Sequence, residues 1–278
     1  MCRWLAYSGW AIPLEELIFN TPHSLIDQSL DSRLGPHTTN GDGFGVGWYD
    51  RRDTPGIYKS TQPAWNDANL QDLCSHIDSP LFMAHIRAST GTPVQYTNCH
   101  PFRYENWLFV HNGSIAQFSR IRRHLLMGLD EQHFLAMGGG TDSELMFMLA
   151  LQFGLTEDPL GGVARMAGFV ERIGRDEGVE FPLQMTLGIA DGGRLCAVRY
   201  SSEGSSRSLY YSRDLSAIEA ELAPQQRFLL DQMSSRARTV VSEPLSDLQD
   251  YWEPIPEASF IVIEGGGVHT EHFQPVAP

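Results

Sequence analysis

The chain has 278 residues, 42% of them hydrophobic and 19% charged, with a formal net charge of −14. That length can bury a sizeable core in one large domain or two small ones. The acidity argues against a nucleic-acid surface, which needs clustered Lys and Arg. No stretch approaches the roughly 18–20 apolar residues of a transmembrane helix, the N-terminus lacks the features of a signal peptide, and a cytoplasmic location with no membrane contact is expected. Cys2, Cys74, Cys99 and Cys196 are scattered without a CxxC pair, so reduced thiols are expected rather than zinc or a redox centre.

In chain order, Cys2 to Ser8 alternates loosely and reads as a first strand ending at Gly9. Pro13 to Ile18 reads as a short helix with Pro in its first turn, and Ser32 to Gly43 as a loop. Phe44 to Tyr49 reads as a strand whose glycines face something close, followed by a strand over Ile57 to Ser60. Asn66 to Ile77 has helical spacing with Asn66 or Asp67 as its cap. Leu81 to Arg87 reads as a buried strand, and Phe102 to Tyr104 and Trp107 to His111 as a pair ending in Asn112-Gly113.

The middle is helical, over Gln117 to Met127, Asp142 to Phe153 and Leu160 to Arg175. The basic run Arg120 to Arg123 falls on the first of these as a solvated face. Strands return at Gln184 to Ala190 and Leu195 to Tyr200 around the hairpin signal Asp191-Gly192-Gly193. Leu209 to Ser212, Ala237 to Ser242, Phe260 to Glu264 and Val268 to Phe273 follow. Strands bracketing a helical middle are not the βαβ alternation of a parallel sheet, so antiparallel sheets with helices outside them are expected, in one domain over 2–278.

Cys2 directly follows the initiator methionine. Removal of Met1 would leave a thiol, reference pKa about 8.5, and an α-amine, about 7.7–8.0, on one residue, so that the amine could take the thiol proton. Read alone, Cys2 is equally an incidental cysteine opening a strand. Four further stretches carry polar residues at strand ends, where sites gather: Asn40 to Gly45, His85 to Thr90, His111 to Ile115, and Gly140 to Glu144. Each has a structural alternative. Asn112-Gly113 could be a turn, Arg87 a strand-end surface arginine and Asp142 a helix N-cap. His85, His100 and His111 show no spacing for a metal, and the glycines of Asp42 to Gly47 precede no helix, which disfavours a dinucleotide loop. Cys74 and His76 read as packing residues of their helix. Cys99, next to the candidate site, is the thiol expected to compete in labelling.

With Cys2, these stretches resemble the class II glutamine amidotransferases, which are N-terminal nucleophile hydrolases. The likeness is closest to the free-standing branch that opens Met-Cys-Arg, continues through Asp-Gly-Phe-Gly-Val-Gly-Trp and closes with Ser-Glu-Pro-Leu, here Ser242 to Leu245. That branch includes γ-glutamyl hydrolases of ergothioneine synthesis and glutathione degradation. The resemblance implies an α+β fold, a four-layer αββα sandwich of two antiparallel sheets flanked by helices. It implies Cys2 as nucleophile, Asn112 and Gly113 as the oxyanion hole, Arg87 and Thr90 as contacts for the substrate α-carboxylate, and Asp142 for its ammonium. His100 would belong to the structure around the site. No cofactor or metal is implied. The activity implied is hydrolysis of glutamine or a γ-glutamyl compound through a γ-glutamyl thioester. The alternatives are a glutaminase subunit passing ammonia to a partner chain, and a non-catalytic γ-glutamyl-binding regulator.

Overall fold

The computed structural model of the protein describes residues 2–34, 39–89, 91–214 and 236–278. In chain order, β1 (Arg3–Pro13) is followed by α1 (Glu15–Ile18), α2 (Leu25–Leu30), β2 (Phe44–Trp48), β3 (Gly56–Ser60), α3 (Ala68–His76), β4 (Asp78–Ile86), β5 (Phe102–Tyr104) and β6 (Trp107–Ile115). The helices α4 (Phe118–Leu126), α5 (Glu131–Ala136), α6 (Asp142–Gln152) and α7 (Pro159–Asp176) make the middle. Then come β7 (Leu183–Ala190), β8 (Leu195–Ser201), β9 (Tyr210–Ser212), β10 (Arg238–Val241), β11 (Trp252–Pro254), β12 (Ser259–Glu264) and β13 (Gly267–His272).

Alternation along β1 explains the layers. Successive side chains of a strand point to opposite faces. Trp4 and Ala6 join Met83, Leu108, Val110, Ala197 and Ile261 in a core between two sheets, while Leu5 and Tyr7 join Phe82, Ile18, Leu70 and Cys74 under the first helices. Because both faces are covered, residues 3–7 are buried without a break. One sheet has the order β11-β9-β10-β1-β4-β2-β3 and the other β13-β12-β8-β7-β6-β5. Every paired strand runs antiparallel. A third core, with Phe109, Phe147, Leu187 and Val198, packs α4, α6 and α7 on the outer face of the second sheet. The architecture is the αββα sandwich of an α+β protein. Residues 143–151 of α6 are all buried, as befits a helix that is apolar on every side.

The close approach expected beside the β2 glycines is present: a Cβ at Gly45 would collide with the His100 carbonyl, and one at Gly47 with Leu108 and Pro101. The hairpin at Asp191 also forms, with the Asp191 carboxylate accepting from the Gly193 and Arg194 N–H groups. Other expectations change. Asn112-Gly113 is no turn, because β6 continues to Ile115 against β7, pairing Asn112 with Thr186 and Gly113 with Met185. β1 runs on to Pro13, with a register shift between Ser8 and Ile12. α2 was not anticipated, although Ser24 and Asp27 form a reciprocal capping box. α5 buries no residue and so carries no apolar period to read. His76 is exposed rather than packed, unlike buried Cys74. Among the described residues no helix is long and apolar enough to cross a membrane.

Candidate active site

Pairing of Arg3 with Ile86 brings the start of β1 to the end of β4. Cys2 Sγ therefore lies 3.3 Å from the Ala88 N–H, which donates to it, and 3.4 Å from the Ala88 carbonyl. The Cys2 carbonyl accepts from Asn112 Nδ2 at 2.8 Å and from the Arg3 guanidinium at 3.1 Å. Asn112 sits on β6 of the other sheet, so this bond ties the two sheets together at the sulfur. One of its two amide hydrogens is thereby used and the other remains.

A cavity of about 300 Å³ opens beside the sulfur, lined among others by Cys2, Arg87, Ser89, Gly113, Ser114 and Asp142. Arg87 is 4% exposed, which overturns its reading as a surface residue. Its guanidinium donates to Thr92 Oγ1 at 2.6 Å, Ser89 Oγ at 3.2 Å and the Asp42 carbonyl at 3.5 Å. These partners use three of its five N–H donors, and no carboxylate neutralises it among the described residues. Asp42 orients the loop in turn, its carboxylate accepting from Ser89 N at 2.7 Å. Gly43, at φ +104°, turns the chain so that its carbonyl meets Arg87 N. Such a φ strains any side chain with a Cβ.

The helix cap is Thr141, whose side chain accepts from Glu144 N, while Asp142 is the first helical residue. The Asp142 carboxylate accepts from Ile115 N at 2.9 Å and from Ser143 N at 2.8 Å, which fixes it at the end of β6 in the favourable field of a helix N-terminus. A Cβ at Gly113 would strike the Gln184 carbonyl and His111 Nε2, so only glycine leaves the backbone where it is. Cys2, Arg87, Gly113 and Asp142 share the cavity, and Asn112 stands behind Cys2. Thr90 lies outside the described residues.

Histidines form the wall. His85 and His100 stack with ring centroids 4.2 Å apart, and His111 Nδ1 meets Ser143 Oγ at 2.8 Å. Burial lowers all three, His85 to about 3 and His100 well below its ordinary range; the Asp142 charge partly opposes the shift at His111. His100 lines the cavity as a neutral ring. These shifts set an acid limit. On unfolding, a histidine takes up a proton below about pH 6.5, so stability is full above that pH. It falls as pH drops toward the folded value, by ~1.4 kcal/mol per pH unit for each proton. Urea unfolding across pH 7 to 4 is expected to show this decline, with more than one proton taken up.

Two residues whose roles were not read from the sequence, Arg3 and Glu243, position the N-terminus. Glu243, 1% exposed, accepts from Arg3 Nε at 3.0 Å, Ser32 Oγ at 3.0 Å, Arg33 N at 2.8 Å and Leu34 N at 3.0 Å, and meets His23 Nε2 at 2.6 Å. Although burial opposes ionisation, these partners hold its carboxyl down at about 2. Glu243→Ala would strand the buried Arg3 charge and is expected to cost about 3–5 kcal/mol in urea unfolding. The signal available was the Ser242 to Leu245 stretch, but only the folded chain shows that Glu243 reaches Arg3, 240 positions away.

The other three cysteines are 0–2% exposed, and burial pushes their thiols up, Cys74 and Cys196 to about 12. Cys99 therefore does not compete as expected, being sealed under the Gly43 turn. Alkylation of the folded protein followed by peptide mapping should label Cys2 first, with all four labelled after denaturation.

The model of the class-II glutamine amidotransferases matches residues 17–276, and the chain belongs to that family. It is an enzyme of glutamine amidotransferase or γ-glutamyl hydrolase type. It is 34% identical over 293 residues to the probable glutamine amidotransferase DUG3 of Saccharomyces cerevisiae, covering 95% of this chain and 82% of that one. It is 32% identical over 117 residues to the gamma-glutamyl-hercynylcysteine sulfoxide hydrolase of Mycolicibacterium smegmatis, covering 41% of this chain and 52% of that protein. A solved glutamine aminotransferase class-II domain protein from Silicibacter pomeroyi superposes with a TM-score of 0.75 at 31% identity, over 99% of this chain and 100% of that one. Cys2 precedes the residues matched by the family model.

Proposed function

We propose that the protein, acting as one unit over 2–278, hydrolyses the γ-amide of glutamine or of a γ-glutamyl compound through a thioester on Cys2. With Met1 removed, the Cys2 α-amine takes the thiol proton and Sγ attacks the γ-carbonyl carbon. The remaining Asn112 Nδ2 hydrogen and the Gly113 N–H stabilise the oxyanion. The C–N bond breaks, the proton passes to the departing nitrogen, and ammonia or an amine leaves. Water then adds to the thioester, releasing glutamate and restoring the thiol. Arg87 receives the α-carboxylate, with Thr90 as a second contact, and Asp142 receives the ammonium.

The observation that carries this reading is a reachable sulfur in one cavity with a buried guanidinium that no carboxylate neutralises among the described residues and a fixed carboxylate, a charge pair complementary to a zwitterionic amino-acid end. Support for one unit comes from the C-terminal Val276 N–H, which bonds to the Ala164 carbonyl of α7. The test is glutamate release from glutamine and γ-glutamyl amides by the purified chain alone. Release from at least one is expected; no release from any would overturn the reading.

A further inference from the structure

We propose that Lys59 is a reactive amine in a second small-molecule site, which takes a small oxo acid by imine formation at Nζ with Arg103 holding the carboxylate.

The composition singles the residue out. Of the 20 basic side chains 19 are arginine, and Lys59 is the only lysine in the chain. A guanidinium stays charged at any physiological pH, whereas a lysine can lose its proton and act as a nucleophile.

The fold puts that amine in a cavity. Lys59 pairs with Gly45 across β2 and β3, and a Cβ at Gly45 would come within 2.9 Å of Lys59 Cγ, so the stem lies along bare backbone. Its Nζ ends over the rings of Phe102 and Tyr96, 5.2 and 5.8 Å from their centroids. Ring faces attract a cation only modestly, and Lys59 makes no hydrogen bond or ion pair among the described residues. The cavity it lines has a volume of about 300 Å³ and is also bounded by Ile57, Phe102, Arg103, Glu144 and Met148, a size and lining that suit a small metabolite. Among the described residues it shares no lining residue with the Cys2 cavity.

Two charged groups on its wall say what fits. The Glu144 carboxylate is engaged by the Gly138 and Gly139 N–H groups at 2.8 and 2.7 Å. Arg103 uses one of its five N–H donors on the Pro55 carbonyl at 2.9 Å and makes no ion pair among the described residues, which leaves donors for a carboxylate. Burial lowers the Lys59 amine to about 8, with the charge of Arg103 adding to the shift and those of Cys99 and Glu144 opposing it. About a quarter of it is then neutral near pH 7.5, against about one part in a thousand for an exposed lysine. A desolvated amine beside another cation is the arrangement that activates lysine toward a carbonyl carbon. Nζ adds to the ketone carbon, its two hydrogens pass to the carbonyl oxygen, and that oxygen leaves as water while the C=N bond forms. The step needs no co-reactant.

The test incubates the intact protein with pyruvate and cyanoborohydride at about pH 7.5, with Nα-acetyllysine amide in the same tube as an ordinary amine. Modification of the peptide containing Lys59 is read by mass; the N-terminal amine falls in a different peptide. Lys59 should be trapped about tenfold faster than the reference amine, or more. It should favour pyruvate over methyl pyruvate, which keeps the activated ketone and lacks the charge, by about tenfold. That preference should collapse toward one in Arg103→Met. Trapping no faster than the reference amine, equal trapping of the two ketones by wild type, or a preference unchanged in Arg103→Met would each overturn the inference. Hydrolysis at Cys2 plays no part in this readout, so such a result leaves the hydrolase reading standing.

Discussion

Cys2→Ala is expected to lower kcat/KM for γ-glutamyl hydrolysis by about 10⁴–10⁶-fold, the range seen when a covalent nucleophile is removed. The fold should survive. Among the described residues the hydrogen bonds of the side chain run to the Ala88 backbone, while the bonds that anchor residue 2 run from its carbonyl to Asn112 and Arg3 and are kept in the variant. Thermal unfolding should therefore be nearly unchanged, which separates loss of chemistry from loss of structure. Retaining one residue in front of Cys2 should also be damaging, though less so, because the amine becomes an amide and cannot accept the proton. A fall of about 10²–10⁴-fold is expected for loss of a general base, read by steady-state assay on protein whose N-terminus is verified by mass.

The second large effect is expected from Arg87→Met. Removing one member of a desolvated, hydrogen-bonded charge pair costs about 2–5 kcal/mol, which is about 30- to 4,000-fold in kcat/KM. Most of it should appear in KM, since the α-carboxylate is remote from the reacting carbon and is held alike in ground and transition states. Lysine should not rescue, because three donors of the guanidinium already hold Thr92, Ser89 and the Asp42 carbonyl and a point charge cannot serve these and a substrate together. A fall confined to kcat, with KM intact, would contradict the assignment of Arg87 to the carboxylate.

Layer architecture was legible in the sequence because strand alternation and helical spacing are local signals. The run at Leu81 to Arg87 reads as a buried strand, whereas the cover on both faces of β1 shows only in the folded chain, and the four-layer order was implied by the family resemblance. α5 left no trace because it buries nothing, and α2 is only six residues long. Asn112-Gly113 was ambiguous for a different reason. Asn-Gly favours turns locally, and only pairing with Thr186 and Met185, more than seventy positions later, holds it extended. Arg87, Asp142 and Gly113 stood out because short polar stretches ended apolar ones, and Cys2 because it follows Met1; the chain gathers them at one cavity. Glu243 was silent, since it matters through partners distant in sequence.

The central claim is tested most directly by quenching the enzyme in acid during turnover of a γ-glutamyl amide and measuring the mass of its N-terminal peptide. The account predicts a peptide that begins at Cys2, Met1 having been removed, and carries one γ-glutamyl group on the sulfur that disappears when substrate is exhausted. Active enzyme that retains Met1, or that carries the γ-glutamyl group on another residue, would contradict it.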